Sequence, residues 1–155
     1  MRFKYQKRGS DEELATFSEE ELIEHDKKMY RPSLLVCLRY NNRMSRHRFG
    51  LVDTGADMVT AGYKFAYDLG LNPLEGIEDN IQGPWGVRPQ YIYENIEVVI
   101  IKNMGFQTLA FTTRIAFCDA VGDQILLGRE GFFDTFKVII NEKHREIELI
   151  RTRGQ

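Results

Sequence analysis

Phe49-Gly50-Leu51-Val52-Asp53-Thr54-Gly55-Ala56-Asp57 is an apolar run that stops at an acid and then turns. Leu51 and Val52 read as the end of a buried strand, Thr54-Gly55 as the tight turn after it, and Asp53 as a carboxylate left at the strand's mouth. An ionised group beside a buried strand is costly. It is either hydrogen-bonded or holds a proton through a shifted pKa, and both conditions suit a catalytic acid or base. Thr54 carries a hydroxyl that both donates and accepts, so it is able to tie one turn to another. Gly55 lets the backbone approach where a Cβ would clash. The pattern describes a site built largely from backbone, with Asp53 as its reactive group.

A second stretch, Gln124-Ile125-Leu126-Leu127-Gly128-Arg129-Glu130-Gly131-Phe132-Phe133, also runs from apolar residues into a glycine turn, and then into a short helical pattern. With the two stretches in this order, the chain resembles the retropepsin-like aspartic proteases, the family of the retroviral proteases and their cellular and bacterial relatives. Leu51 to Asp57 matches the family's active-site motif, and Ile125-Leu126-Leu127-Gly128-Arg129 matches the second motif, which precedes a C-terminal helix. The resemblance covers about Pro32 to Ile150.

The resemblance implies a mostly β, single-domain fold, a closed barrel-like sheet with one short C-terminal helix. It implies that Asp53 is catalytic, that Thr54 reaches across to a second copy of the turn, and that Gly55 amides support the carboxylates. Backbone near Ala56 and Asp57 is expected to bind extended substrate, while Gly128 and Arg129 serve structure, Arg129 by pairing with Asp57. No metal or other cofactor is called for. By position, Ile81-Gln82-Gly83-Pro84-Trp85-Gly86-Val87-Arg88 is the flap, a mobile hairpin over the cleft whose tip, Gly83, Pro84, Trp85 and Gly86, contacts substrate. Glycine at such a tip absorbs large backbone changes.

The chain contains one Asp-Thr-Gly; Asp134-Thr135-Phe136 lacks the glycine and follows the expected helix. Peptide hydrolysis without a metal or covalent nucleophile needs one carboxylate to take a proton from water and another, protonated, to donate it. Two like acids in contact share a proton, which supplies both roles. The second Asp53 is therefore expected from a second chain across a two-fold axis. In retroviral members the chain ends interleave into a shared sheet, and Arg145 to Ile150 is the candidate strand here.

A length of 155 residues suits one domain with its own core, and 21 basic against 23 acidic residues imply neither a nucleic-acid nor a membrane partner. Cys37 and Cys118 read as buried thiols in a reducing compartment. Met1-Arg2-Phe3-Lys4-Tyr5-Gln6-Lys7-Arg8 is basic, but no apolar segment follows it, so a cytoplasmic location is expected. Residues 11–26 hold eight acids and no Lys or Arg. Ser10 with Glu13 and Ser18 with Glu21 have capping-box spacing. We therefore expect a short helical N-terminal extension over residues 1–30 and the protease-like domain over 31–152.

Within that domain, Leu34–Tyr40 and Arg46–Val52 read as a hairpin delivering Asp53, and Lys64–Leu69 as a helix. Glu94–Lys102 and Gln107–Cys118 read as strands joined at Asn103-Met104-Gly105, and Phe136–Ile140 and Arg145–Ile150 as the last pair. His25, His47 and His144 lack metal-ligand spacing. Arg43, Arg46, His47 and Arg48 read as a solvated basic hairpin. The leading reading is a homodimeric aspartic endopeptidase acting on peptide or protein substrates. Its alternatives are a non-proteolytic dimerisation or peptide-binding module of the same fold, and a latent zymogen held by the N-terminal extension.

Overall fold

The computed structural model of the chain describes residues 1–7, 30–103 and 107–153. It is a single-domain, mostly β structure. In chain order the elements are β1 (Arg2–Lys4), β2 (Gln6–Lys7), β3 (Tyr30–Arg31), β4 (Ser33–Tyr40), β5 (Arg43–Met44), β6 (Arg48–Val52) and β7 (Thr60–Ala61). Helix α1 (Tyr63–Asp68), β8 (Ile77–Gly83), β9 (Gly86–Asn103), β10 (Gln107–Phe117) and β11 (Ile125–Leu127) follow. Helix α2 (Phe132–Thr135), β12 (Phe136–Asn141) and β13 (Glu146–Arg151) complete the chain.

The hairpin that delivers Asp53 forms as the sequence suggests. Asn41 and Asn42 both take positive φ, 46° and 63°, which gives a two-residue turn the right-handed twist of the strands it joins. β4 then pairs antiparallel with β6, Leu34 opposite Gly50 and Val36 opposite Arg48. Its other edge pairs with β9, Val36 opposite Ile100 and Leu38 opposite Val98. That second pairing closes a ring: β4, β6, β11, β7, β10, β9 and back to β4. Closure leaves no free edge around the barrel. Leu34, Val36, Leu38, Ile96, Val98, Ile100, Ile115, Phe117, Ile125 and Leu127 fill the interior, at 0–1% exposure.

The other elements close the ends of this ring. α1 begins and ends one residue earlier than the expected Lys64–Leu69 and packs Phe65 and Ala66 into the core. β1, β13 and β12 form a separate three-stranded sheet with β13 in the middle. An aromatic cluster fastens it to the barrel, Phe111 of β10 lying 6.2 Å from Phe132 and 5.8 Å from Phe136 between ring centroids. Such tilted and edge-on pairs are favourable beyond the area they bury.

Residues 1–7, placed by the sequence reading in the N-terminal extension, pack with the rest of the domain. Phe3 and Tyr5 belong to the main core, β1 pairs with β13, and the Met1 amino group donates to Leu149 O at 2.7 Å. Arg2 and Lys4 alternate outward while Phe3 and Tyr5 turn inward, a strand period hidden by the basic composition. The expected acidic helices in 11–26, and Met104-Gly105 of the expected turn, lie outside the described residues. Cys37 and Cys118 are free and buried. Among the described residues, no helix is long and apolar enough to cross a membrane.

Two outcomes follow from this packing. Phe132→Ala removes the centre of the aromatic cluster and is expected to cost about 3–5 kcal/mol in urea unfolding, whereas Tyr67→Ala, at an exposed position, stays within about 0.5 kcal/mol. Burial and a 2.8 Å hydrogen bond to Glu142 raise the Tyr5 phenol from 10.0 to about 12. The folded chain then keeps a proton that the unfolded chain releases, so this contribution is complete below pH 10 and is lost as pH rises towards 12. Tyr5→Phe should be less stable at neutral pH by about 1 kcal/mol, with the difference from wild type shrinking across that alkaline window.

Candidate active site

β6 ends at Val52, and the next residue keeps the ladder for one more bond: Asp53 N–H donates to Leu127 O at 3.1 Å. The chain then turns sharply. Ala56 N–H donates to Asp53 O at 3.3 Å, and Gly55 N–H donates to the Asp53 side chain, Oδ1, at 2.8 Å. A carboxylate accepting the amide two residues on is the usual device by which Asp stabilises such a turn. A Cβ at Gly55 would stand 3.1 Å from that oxygen, so a larger residue would crowd the bond. Asp53 is half-buried, Thr54 and Gly55 are exposed, and Ala56 is buried.

The second motif is brought against this turn by parallel pairing of β11 with β6, Leu126 beside Leu51 and Leu127 beside Val52. Beyond the strands the backbones stay joined: Arg129 N–H donates to Ala56 O at 2.9 Å and Glu130 N–H to Asp57 O at 2.8 Å. Gly128 sits where nothing larger fits. A Cβ there would lie 2.3 Å from Met58 O and 2.7 Å from Ala56 O. The Arg129 guanidinium donates to Asp57 Oδ1 at 2.5 Å, joining positions 72 residues apart.

Thus Asp53, Thr54, Gly55, Ala56, Asp57, Gly128 and Arg129 form one contiguous surface. Glu130, which the sequence reading did not single out, belongs to it: its carboxylate takes a forked ion pair from Arg114, Nη2 to Oε1 at 2.9 Å. Both acids flanking Asp53 in this surface therefore have an arginine partner. Among the described residues Asp53 itself forms no ion pair, and the Gly55 amide is what holds its carboxylate.

The expected flap is a long exposed hairpin. β8 and β9 pair from Ile77 opposite Ile92 to Gly83 opposite Gly86, leaving Pro84-Trp85 as the two-residue tip. Gly86 has φ +91°, and the Trp85 ring lies over Gly83, where a Cβ would meet Cζ2 at 2.5 Å. Near the base, Asp79 accepts from Gln90 Nε2 at 3.3 Å, and Gln90 is buried. The hairpin meets the Asp53 segment at its base: Ile92 and Ala116 pack against Met58, the residue after Asp57. Ile92, Gln90 and Arg88 alternate onto that face of the strand.

The remaining candidates have structural duties. Arg46 forks onto Asp68 at 2.7 and 2.8 Å and holds that carboxyl below its usual range, while Arg48 pairs with Asp123 at 3.0 Å. That is the solvated basic hairpin expected. Burial pushes the Cys37 thiol up, which keeps it protonated and unreactive. Compared with known proteins, the chain matches no protein-family model and no curated protein.

The tight joint at Gly128 yields a direct test. Gly128→Ala forces the two turns apart against backbone carbonyls that have no side-chain freedom to yield, and is expected to cost more than about 2 kcal/mol. Urea unfolding of the variant, with exchange of the Arg129 and Glu130 amides, measures both the loss and its location.

Proposed function

We propose that this chain is a retropepsin-like aspartic endopeptidase that works as a homodimer. The observation that carries this reading is the joined pair of turns: backbone hydrogen bonds tie Asp53 to Leu127, Ala56 to Arg129 and Asp57 to Glu130, so the Asp53–Asp57 turn is seated on the second motif. In this reading the closed six-strand ring, with α2 near its C-terminal end, is the retropepsin-like fold. For residues 11–26 the reading rests on sequence spacing alone.

Each subunit supplies one Asp53. The Gly55 amide fixes Oδ1, which leaves Oδ2 for a water molecule and for the second carboxylate. Two carboxylates so placed share one proton, because both cannot ionise at contact distance. The ionised Asp53 takes a proton from the water as its oxygen bonds to the peptide carbonyl carbon. The protonated Asp53 gives its proton to the carbonyl oxygen, producing a tetrahedral diol. In the second half the carboxyl now protonated gives its proton to the amide nitrogen as the C–N bond breaks, while the ionised partner carboxylate takes a proton from a diol hydroxyl, releasing an amine and a carboxylic acid. The titration belongs to the pair of groups and not to either one.

The arginines near this surface support that chemistry by where they point. A guanidinium beside Asp53 would hold it ionised, and a carboxylate so held does not share a proton. Arg129 and Arg114 are engaged by Asp57 and Glu130 instead. Substrate lies between the Asp53 turn and the β8–β9 hairpin in extended form, with its backbone bonded as a strand would be. Trp85 and Val87, both exposed on the hairpin, offer it apolar contact.

Mass spectrometry of a peptide library after incubation from about pH 4 to 7, where a shared-proton pair is active, tests the reading. Wild type is expected to produce new termini, and Asp53→Asn to reduce cleavage by about 10²–10⁴-fold or below detection. Wild-type dimer that leaves every peptide intact would sink the enzyme and favour a peptide-binding module.

A further inference from the structure

One buried side chain is left with an open hydrogen-bonding atom. Gln90 is 6% exposed, and among the described residues its Oε1 is the single buried side-chain nitrogen or oxygen without a hydrogen-bond partner. A buried acceptor left open costs free energy, so such an atom in a folded chain calls for an explanation. Its orientation is set by the neighbour across the hairpin. Asp79 lies opposite Gln90 in the β8–β9 ladder, and Gln90 Nε2 donates to Asp79 Oδ2 at 3.3 Å. Turning the amide over would set its oxygen against a carboxylate oxygen, so Oε1 faces away from Asp79.

Gln90 shares with Ile92 the face of β9 that packs on Met58, the residue after Asp57. What the Gln90–Asp79 pair presents there accepts hydrogen bonds and donates none. Oε1 lies inside, and beside it stands the exposed Asp79 carboxylate, whose Oδ1 takes the amide of Asn80 at 2.8 Å. The cations of the same region leave both acceptors open. Arg114 is forked onto Glu130, and its guanidinium is held protonated first by those bonds and last by the charge of Asp79. Arg88, one pleat nearer the hairpin tip on the same face, forms no ion pair or hydrogen bond among the described residues, and neither does Asp79 form an ion pair.

We propose that Asp79 and Gln90 form a specificity pocket for a lysine or arginine side chain of the peptide substrate, its cationic head bonding to the Asp79 carboxylate and to Gln90 Oε1. This rests on the reading of the chain as an endopeptidase whose substrate lies between the Asp53 turn and the β8–β9 hairpin. The side chain reaches Oε1 as the hairpin lifts to admit the peptide. A cation is the occupant because both open groups are acceptors and one of them is charged. Reaching a buried atom past an exposed carboxylate also takes a long stem, and Lys and Arg alone combine charge, several donors and such a stem. A substrate carboxylate would meet oxygen with oxygen. In a two-fold dimer the pocket occurs twice, so the basic residue is expected at matching positions on both sides of the cleaved bond.

Sequencing the termini that wild type produces from a peptide library is the first test, and Lys or Arg should be enriched at one position on each side of the cut. Matched peptides with Lys or Leu at that position should then differ about tenfold or more in kcat/KM. Asp79→Asn and Gln90→Leu should each reduce that ratio several-fold, whereas Tyr67→Ala, exposed on α1, keeps it. Gln90→Leu also removes an unsatisfied buried group, so its urea midpoint should equal or exceed that of wild type, an outcome that a purely structural glutamine would not give. Should one of the two variants not fold, the other decides. Equal cleavage of Lys and Leu peptides, a preference for acidic residues, or a preference untouched by both changes would overturn the proposal. If no peptide is cleaved, the protease reading falls and binding decides the pocket. Fluorescence anisotropy of labelled peptides that differ only by a central Lys or Leu should then show about tenfold tighter binding of Lys, reduced by Asp79→Asn. Equal binding of the two, or none, would overturn the pocket as well.

Discussion

The structure depends on the parallel alignment of Leu51-Val52 with Leu126-Leu127. Parallel neighbours cannot be joined by a tight turn, so the chain leaving Val52 must travel far before it returns beside itself. The intervening strands use that journey to build the barrel: β7 pairs antiparallel with β11 and parallel with β10, and β9 carries the sheet round to β4. The alignment continues past the strands only because Gly128 has no Cβ to meet the carbonyls of Ala56 and Met58. Ring closure and the geometry of the Asp53 turn are thus one condition. A shift of the β6–β11 register would open both.

The parts of this arrangement legible in the sequence are those whose cause is local. An apolar run ending in Asp-Thr-Gly, an Asn-Asn turn and a glycine after Ile125-Leu126-Leu127 each constrain their own backbone, and each takes the form expected of it. What was missed depends on partners remote in the chain. Nothing near Arg2-Phe3-Lys4-Tyr5 indicates that Glu146 and Glu148 will pair with its charges, or that the main core will receive Phe3 and Tyr5. β7 is two residues long and is a strand only because β10 and β11 flank it. β9 runs unbroken from Gly86 to Asn103, bending where Asn95 takes φ +58° and β10 shifts register between Thr113 and Ile115, so the hairpin and the barrel wall are one strand.

Charge around the Asp53 turn is arranged more by exclusion than by attraction. The Asp57–Arg129 and Glu130–Arg114 pairs are substantially exposed, and exposed pairs contribute little to stability. Their consequence lies in where the cations are held. With both guanidiniums turned to other acids, the Asp53 carboxylate has the Gly55 amide as its hydrogen-bond donor among the described residues. The resemblance implied the Asp57–Arg129 pair, but nothing in the sequence indicated the Glu130–Arg114 pair, because Arg114 reaches Glu130 only once β10 is in place beside α2.

Closing a barrel removes edges from its wall and concentrates the remaining ones, and the chemistry of each remaining edge separates its possible roles. β8 bears Glu78, Asp79, Asn80 and Gln82, side chains that stay solvated when the strand is unpaired and that suit a partner which comes and goes. β1 is guarded by charge. Among the described residues, β12 alone combines length, an edge without a strand partner and isoleucine on both faces, a combination that would favour uncontrolled pairing unless something of fixed shape covers it.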